Sequence, residues 1–187
     1  MKEEVPFHRV HRLLTSGPIC LLTTRYKGEV HAAMVPWCCP ISLEPPRIAL
    51  AIHPSRYIHD MLPRSEECVL NIPGRPYAEQ MLKCAEPEGA DEEALRNMGL
   101  TLESGQRVEV PRIDEFLAHI ECQLIDVLTP GDHSLFIVEV VGAWAETEAF
   151  QEHWLYQDVE ELLPLHYLGG RQFCLMGPII DLSKPPE

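Results

Sequence analysis

Apolar and polar residues alternate over a long stretch in the second half of the chain. From 118 to 124 the apolar residues point to one side, with His119 and Glu121 on the other. A second apolar run covers 135–145, and the segment between, 129–133 (T-P-G-D-H), is typical of a turn. We therefore predict a half-buried antiparallel hairpin. Its loop presents Asp132 and His133.

The rest of the pattern predicts short strands with helices inserted between them. Strands are predicted at 19–24, 30–35, 47–52 and 68–72, and the first two form a hairpin that turns through Gly28. Helices are predicted at 7–14, from 55 onward, at 77–83 and at 91–98. Pro36 and Pro40 cannot donate to a neighbouring strand, so an edge or a bulge is expected there. The acidic segment 86–93 is expected to be a solvated connection, and 184–187 a frayed tail.

This order of elements predicts one domain, 1–187, with a mainly β fold: an antiparallel β-barrel with added helices. The 17 prolines among 187 residues favour many short elements over a helical bundle. With 29 acidic and 15 basic residues, the formal charge of −14 would repel nucleic acids and anionic lipids. Any site for an anion must therefore be built from nearby backbone donors and a few cationic side chains.

The junction after the strand 47–52 is a candidate for such a local site. Pro54 ends the strand, and Ser55 is a favoured N-cap for a helix. Unpaired backbone N–H groups at the helix start, with Arg56 beside them, would form an anion site. The alternative is an ordinary capped helix with a solvated arginine.

Seven cysteines, an odd number without a C-x-x-C pair, favour reduced thiols in a cytoplasmic protein. Residues 1–22 do not resemble a signal peptide, and the longest uncharged run, 30–43, is too short to cross a bilayer. A soluble protein with no membrane association is expected. His8 and His11 lie three apart on the leading helix, but further zinc ligands are not placed nearby.

Several residues carry two interpretations each. Cys38 and Cys39 point to opposite faces of a strand, so one is a small core residue or, alternatively, a nucleophile. His133 is a turn residue or a donor to a ligand. Trp37 is a core aromatic or a platform for a planar ring. The 167–170 segment, Tyr-Leu-Gly-Gly, is a connector or a close approach to a ligand.

An ordered series of motifs resembles the flavin reductase family, which has an FMN-binding split barrel, and most closely its flavoredoxin branch. No single motif is specific, but together they span about 18–173. They are P-I-C-L-L-T-T (18–24), M-V-P-W-C-C-P-I-S (34–42), P-P-R-I-A-L-A-I (45–52), S-R-Y-I-H (55–59), V-L-N-I-P (69–73), G-L-T (99–101), G-D-H-S-L-F-I-V-E-V-V (131–141) and L-G-G (168–170).

The resemblance implies a homodimer of six-stranded Greek-key barrels with FMN near the subunit interface. It places the phosphate at 55–59 and the isoalloxazine along 34–39, and an FMN-binding oxidoreductase would take electrons from NAD(P)H or a protein redox partner. The flavin would carry the chemistry, and no residue is assigned as an acid or base. The implied cofactor contacts are His31, Met34, Val35, Pro36, Trp37, Cys38, Ser55, Arg56, Ile58, His133 and Tyr167.

The chain also departs from the family pattern. Flavoredoxin-like members often carry Asn, Thr and Lys where this chain has His31, Ile58 and Ala94, and Ser where it has Pro36. Each lost hydrogen bond costs about 0.5–1.5 kcal/mol, and about 1.5–3 when it reaches a charged group. A second hypothesis is therefore a split barrel with an eroded flavin site that acts as a non-enzymatic binding or assembly module. A third, a small metal or thiol protein, rests on the cysteine count.

Overall fold

The chain folds mainly into strands, and a computed structural model describes residues 2–7, 17–156 and 158–180. The strands are β1 (Lys2–Glu4), β2 (Cys20–Tyr26), β3 (Glu29–Val35), β4 (Cys38–Leu43), β5 (Pro46–Ile52), β6 (Glu67–Ile72), β7 (Ala90–Asp91), β8 (Leu102–Glu103), β9 (Arg112–Ile113), β10 (Ala118–Leu128), β11 (Ser134–Glu146), β12 (Leu165–Gly169) and β13 (Gln172–Leu175). The helices are α1 (Tyr57–Ser65), α2 (Ala78–Lys83) and α3 (Glu92–Asn97), with 3-10 turns at Arg75–Tyr77 and Glu160–Leu162.

Nine strands form one sheet in the order β4-β5-β11-β10-β6-β2-β3-β7, with β1 paired to β11. Adjacent strands are antiparallel throughout. Six of them, β2, β3, β5, β6, β10 and β11, turn alternate side chains into one shared core. This confirms the predicted barrel class, and β1, β4 and β7 extend the six-stranded framework.

Both predicted hairpins are present. β2 turns into β3 through Lys27 and Gly28, whose φ angles of 51° and 87° explain the glycine. β10 and β11 pair across the 129–133 loop. The expected edge is also confirmed, because among the described strands β4 pairs with β5 alone and its register shifts between Pro40 and Ser42.

The polar face predicted for the start of β10 is buried, so the expectation of a half-buried strand is wrong there. The Glu121 carboxylate accepts hydrogen bonds from the Gln106 and Arg107 N–H groups at 2.8 and 2.6 Å. His119 is fully buried, with its Nδ1 3.0 Å from Asn71 Oδ1. Alternation shows which residues share a face, but it does not show that another segment of the chain covers the polar one.

The acidic connection 86–93 is not simply solvated, because Ala90 is buried and Ala90–Asp91 pairs with β3. The helix predicted at 7–14 and the tail 184–187 fall on residues outside the described ranges, apart from Phe7. Among the helices of the described residues, none is long and apolar enough to cross a membrane.

Candidate functional site

A cavity of about 220 Å³ lies where the end of β3, the end of β5 and the β10–β11 loop meet. Eight of the eleven side chains predicted to contact the cofactor line it: Met34, Val35, Pro36, Trp37, Arg56, Ile58, His133 and Tyr167. His31, Cys38 and Ser55 are not among its lining residues. The topology thus brings together residues that are up to 133 positions apart in the chain (34 to 167).

One wall of the cavity is aromatic. Trp37 is 61% exposed, so the alternative of a core aromatic is wrong. Its ring centroid lies 4.7 Å from that of His133, with the planes tilted by 38°. His53 meets His133 edge-on at 5.1 Å. Three rings therefore surround one open space, an arrangement suited to a planar ligand.

His133 is oriented by its neighbour in the loop. Its Nδ1 donates to Asp132 Oδ1 at 2.9 Å, and this hydrogen bond lowers the pKa of the Asp132 carboxyl. In the neutral ring the proton then sits on Nδ1, and Nε2 is left to accept.

Tyr167 closes the aromatic wall from the β12–β13 hairpin. Its hydroxyl donates to the Gly170 carbonyl at 3.1 Å, and its ring packs 5.4 Å from Phe173. Gly169 and Gly170 have φ angles of 113° and 56°, so this turn requires glycine. The glycines shape the turn that holds Tyr167 at the cavity.

The opposite end differs from the prediction, because Ser55 is not the N-cap. α1 begins at Tyr57 with Arg56 as its N-cap, without a side-chain capping bond. Ser55 instead faces His53: its hydroxyl lies 2.8 Å from His53 Nδ1, and its N–H donates to the same nitrogen at 3.1 Å. The Arg56 N–H donates to the His53 carbonyl and the Tyr57 N–H to Pro87. Three of the amides expected to be free are therefore already bonded within the protein.

Arg56 is half-buried, and most of its N–H groups are engaged within the protein. Its guanidinium donates to the carbonyls of Ala85, Met34 at 3.2 Å and Cys84 at 3.3 Å. These contacts use three of its five N–H groups and tie the segment after α2 to β3. Burial lowers the pKa of Arg56, although the charges of Glu86, Cys84 and Glu88 act in the opposite direction.

His31 and Ala94, two of the departures from the family pattern, are not among the residues that line this cavity. His31 stacks on Tyr57 with centroids 4.3 Å apart, and burial lowers its pKa despite the nearby charges of Asp91 and Glu29. It lines a separate cavity of about 460 Å³. Ala94 lies half-buried in α3, where its N–H donates to Asp91.

Cys38 and Cys39 face opposite sides of β4, as predicted. Cys38 packs against the barrel core, whereas Cys39 is exposed. Within the described residues, no three His, Cys, Asp or Glu side chains are grouped as metal ligands. The principal lining residue absent from the sequence prediction is His53, and its position directly after an apolar strand and two residues before Ser55 was the available signal.

Comparison with known proteins places the chain in a family. The model of the flavin reductase like domain matches residues 11–173, so the chain belongs to that family. An uncharacterised protein of Pyrococcus abyssi is 30% identical over 141 residues, covering 75% of this chain and 81% of the relative. The reductase component of a 4-nitrophenol 4-monooxygenase/4-nitrocatechol 2-monooxygenase of Rhodococcus opacus is 26% identical over 145 residues, covering 78% of this chain and 74% of that protein.

Solved structures agree with the family. An FMN-binding domain of a flavin reductases-like enzyme from Shewanella baltica superposes with a TM-score of 0.87 at 26% identity, covering 97% of both chains. Flavoredoxin of Desulfovibrio vulgaris gives a TM-score of 0.76 at 21% identity, covering 89% of this chain and 90% of that one. The resemblance of the motifs to the flavin reductase family is thereby confirmed, and the likeness to flavoredoxin shows a shared fold.

Proposed function

We propose that this protein binds FMN in the cavity beside Trp37 and transfers electrons through it. The electrons come from NAD(P)H or a protein donor and pass to a further acceptor. The observation that carries the proposal is the open aromatic wall of Trp37, His133 and His53 in a member of the flavin reductase like family. When bound, the flavin supplies the redox chemistry, and the protein supplies position and charge.

The ring end of the site fits an isoalloxazine. Trp37 offers an exposed indole face, Met34 and Val35 offer apolar surface, and His133 has a nitrogen directed by Asp132. Pro36 lacks an N–H, so the segment 34–37 has one backbone donor fewer to offer a ring.

The phosphate end fits less completely. Ile58 is 2% exposed and presents methyl groups where flavoredoxin-like members often have a hydroxyl. The N–H of Ser55 is available to a phosphate only when the His53 ring turns away from it. The remaining N–H groups of Arg56 supply the nearest positive charge. We expect binding driven by the ring, with a weaker contribution from the phosphate.

The test is a flavin titration. The protein, purified without added flavin, is examined for a visible flavin spectrum and then titrated with FMN, followed by NADH and NADPH under anaerobic conditions. Saturable binding and bleaching of the flavin band support the proposal. No flavin band and no saturable binding would overturn it.

A second candidate function is a split barrel with an eroded flavin site that serves as a binding or assembly module. The bonded amides at 55–57 and the buried Ile58 favour it. The double substitution of Ile58→Thr and Ala94→Lys distinguishes the two candidate functions. A gain from undetectable to measurable FMN binding indicates erosion, whereas binding by the unaltered protein supports the first function.

The cavity volume favours a homodimer. At about 220 Å³ it is smaller than the roughly 300–1,000 Å³ of typical ligand pockets. Trp37 lines the cavity, and the exposed apolar residues Ile41 and Leu43 continue along β4, so the edge strand offers a second copy an apolar surface. A second copy placed there would complete the site. Sedimentation at several protein concentrations tests this, and a monomer that binds FMN tightly would contradict it.

A further inference from the structure

The His53 ring occupies two donors at the phosphate end of the cavity. Its Nδ1 accepts the Ser55 N–H at 3.1 Å and lies 2.8 Å from the Ser55 hydroxyl. Because this nitrogen accepts from a backbone N–H, it carries no proton, so the hydroxyl is the donor in the second contact. One ring nitrogen therefore holds both the N–H and the O–H of Ser55.

The same ring also belongs to the cavity. It meets the His133 ring edge-on, with centroids 5.1 Å apart, and both histidines line the cavity. Arg56 lines it as well, whereas Ser55, between His53 and Arg56 in the chain, does not. His53 thus contacts the cavity wall on one side and Ser55 on the other. A ligand that reached Ser55 would have to displace this ring.

The turn that carries Ser55 does not depend on the ring. The Arg56 N–H donates to the His53 carbonyl at 3.0 Å, which closes a four-residue turn. Pro54 stands at the second position of this turn, where proline is favoured. His53 and Ser55 are both exposed. Rotation about the His53 side-chain bonds therefore releases Ser55 while the backbone keeps its place.

The bond from the Ser55 N–H exists only with the neutral ring. A protonated imidazole donates from both nitrogens and accepts from neither. Protonation of His53 therefore breaks this bond and adds a positive charge beside the freed donors. Both changes favour an anion, because hydrogen bonds to a charged phosphate are stronger when the donor is itself charged.

Four other charged or titratable groups face His53. Arg56, His133 and Tyr167 line the cavity with it. The fourth is the Asp132 carboxyl, whose pKa is lowered by the hydrogen bond and charge of His133, with a smaller contribution from the charge of His53. All four remain when His53 alone is replaced, so a comparison of His53 variants cancels their contribution.

We propose that His53 is the specificity-determining residue of the phosphate end. Its neutral ring keeps a phosphate away from Ser55, whereas its protonated ring frees Ser55 and pairs with the phosphate. The cavity then prefers FMN over riboflavin strongly only when His53 is protonated. The identity of the ligand rests on the proposed function, but the control of Ser55 by His53 does not.

Two substitutions separate the blocking of Ser55 from the charge of the ring. Asn at the first position of such a turn accepts from the same backbone N–H and is never charged, so His53→Asn keeps that N–H blocked. His53→Ala frees it, also without a charge. The hydrogen bond from the Arg56 N–H reaches a backbone carbonyl, so both variants keep the turn.

The first experiment measures the dissociation constant of riboflavin divided by that of FMN. At about pH 8 we expect this ratio to match that of His53→Asn and to lie about tenfold below that of His53→Ala, the factor expected for one hydrogen bond to a charged group. At about pH 5.5 the unaltered protein should exceed both variants. The FMN phosphate gains a proton near about pH 6 with every protein, so proteins are compared at one pH. A ratio equal to that of His53→Asn at both pH values would overturn the proposal.

Calorimetry of the unaltered protein provides a test that needs no variant. FMN binding is measured at about pH 7.5 in two buffers that differ in ionisation enthalpy. We expect proton uptake with FMN, because the bound phosphate favours the charged ring, and none with riboflavin. A phosphate that binds by losing its own proton gives release instead. Release, or no proton exchange with FMN, would overturn the proposal.

The last experiment uses the flavin-free protein and inorganic phosphate. The backbone amide signal of Ser55 is followed by NMR as the pH is lowered, with and without phosphate. We expect the signal to move as His53 is protonated and to respond to phosphate at about pH 5.5 but not at about pH 8. A Ser55 signal that is insensitive to the ring, or that responds equally at both pH values, would overturn the control of Ser55 by His53. If neither flavin binds, the proposed function fails, and this result still decides that control.

Discussion

The two ends of the cavity are built in opposite ways. At the ring end, Trp37 and His133 contact each other, and Trp37 remains 61% exposed. At the phosphate end, Ser55 is hydrogen-bonded to the His53 side chain, and Arg56 donates to three backbone carbonyls. Ile58 is packed in the core. The ring end therefore has exposed surface for a ligand, whereas the polar groups of the phosphate end are bonded within the chain.

This contrast explains how a family fold can keep its shape while its ligand contacts change. Arg56 stabilises the fold through the carbonyls of Met34, Cys84 and Ala85, so its retention does not depend on a ligand. Trp37 makes no such contribution, because an exposed indole gains little from burial. The ring end is therefore the stronger indicator of ligand binding.

The largest expected effect is on folding stability at the phosphate end. Arg56→Met removes three charged hydrogen bonds to backbone carbonyls, and we expect a loss of about 3 kcal/mol in the free energy of unfolding. Urea denaturation of the flavin-free protein measures it. Arg64→Met, at the exposed last turn of α1, is the matched control and should change stability by less than about 0.5 kcal/mol. Equal effects of the two would show that the carbonyl contacts contribute nothing.

The next effect concerns the missing phosphate donors. Ile58→Thr combined with Ala94→Lys should raise FMN affinity about tenfold, since one added hydrogen bond to a charged group provides about 1.4 kcal/mol. Riboflavin lacks the phosphate, so its affinity should stay the same, and the ratio of the two dissociation constants is the measurement. Ile58→Val keeps the apolar surface and should give no gain. An unchanged ratio would mean that the phosphate lies elsewhere.

A smaller effect is expected at the ring end. Trp37→Ala should weaken FMN and riboflavin by the same factor, about fivefold, because aromatic pairs contribute about 1 kcal/mol beyond area burial. Ile125→Ala, at an exposed position of β10 that does not line the cavity, is the control and should leave both affinities unchanged. Selective weakening of FMN alone would contradict the placement of the ring against Trp37.

The elements were predictable from sequence because local rules decide them. The alternation of apolar and polar residues predicted β10 and β11, Gly28 predicted the turn of the first hairpin, and Pro40 predicted the edge strand. Each of these rules depends on only a few neighbouring residues, and the structure confirms the elements that they predict.

The phosphate end was less predictable because distant segments decide it. Ser55 is a favoured N-cap by type, but the His53 ring takes its hydrogen bonds, and Pro87 accepts from the Tyr57 amide. The carbonyls that bind Arg56 come from 34 and 84–85, and no local pattern places them there. The burial of Glu121 has the same cause, since its partners lie about fifteen residues away.

The smallest effect is the pH dependence of stability, and it concerns two histidines outside the cavity lining. Burial lowers the pKa of His31, which stacks on Tyr57, and of His166, which precedes Tyr167. Each also has one buried ring nitrogen without a hydrogen-bond partner.

A histidine with a lowered pKa in the folded state binds protons more readily when unfolded. Its contribution to stability is therefore complete above the unfolded pKa of about 6.5 and declines as the pH falls towards the folded value. We expect His31→Gln and His166→Gln each to flatten the fall in the free energy of unfolding between about pH 7 and pH 5. His153→Gln, at an exposed site, should follow the unaltered protein. Bound FMN should alter the pH dependence of stability that His31 contributes only if the phosphate lies near Tyr57. Repeating the denaturation with FMN and with riboflavin therefore locates the phosphate, independently of the Ile58→Thr substitution.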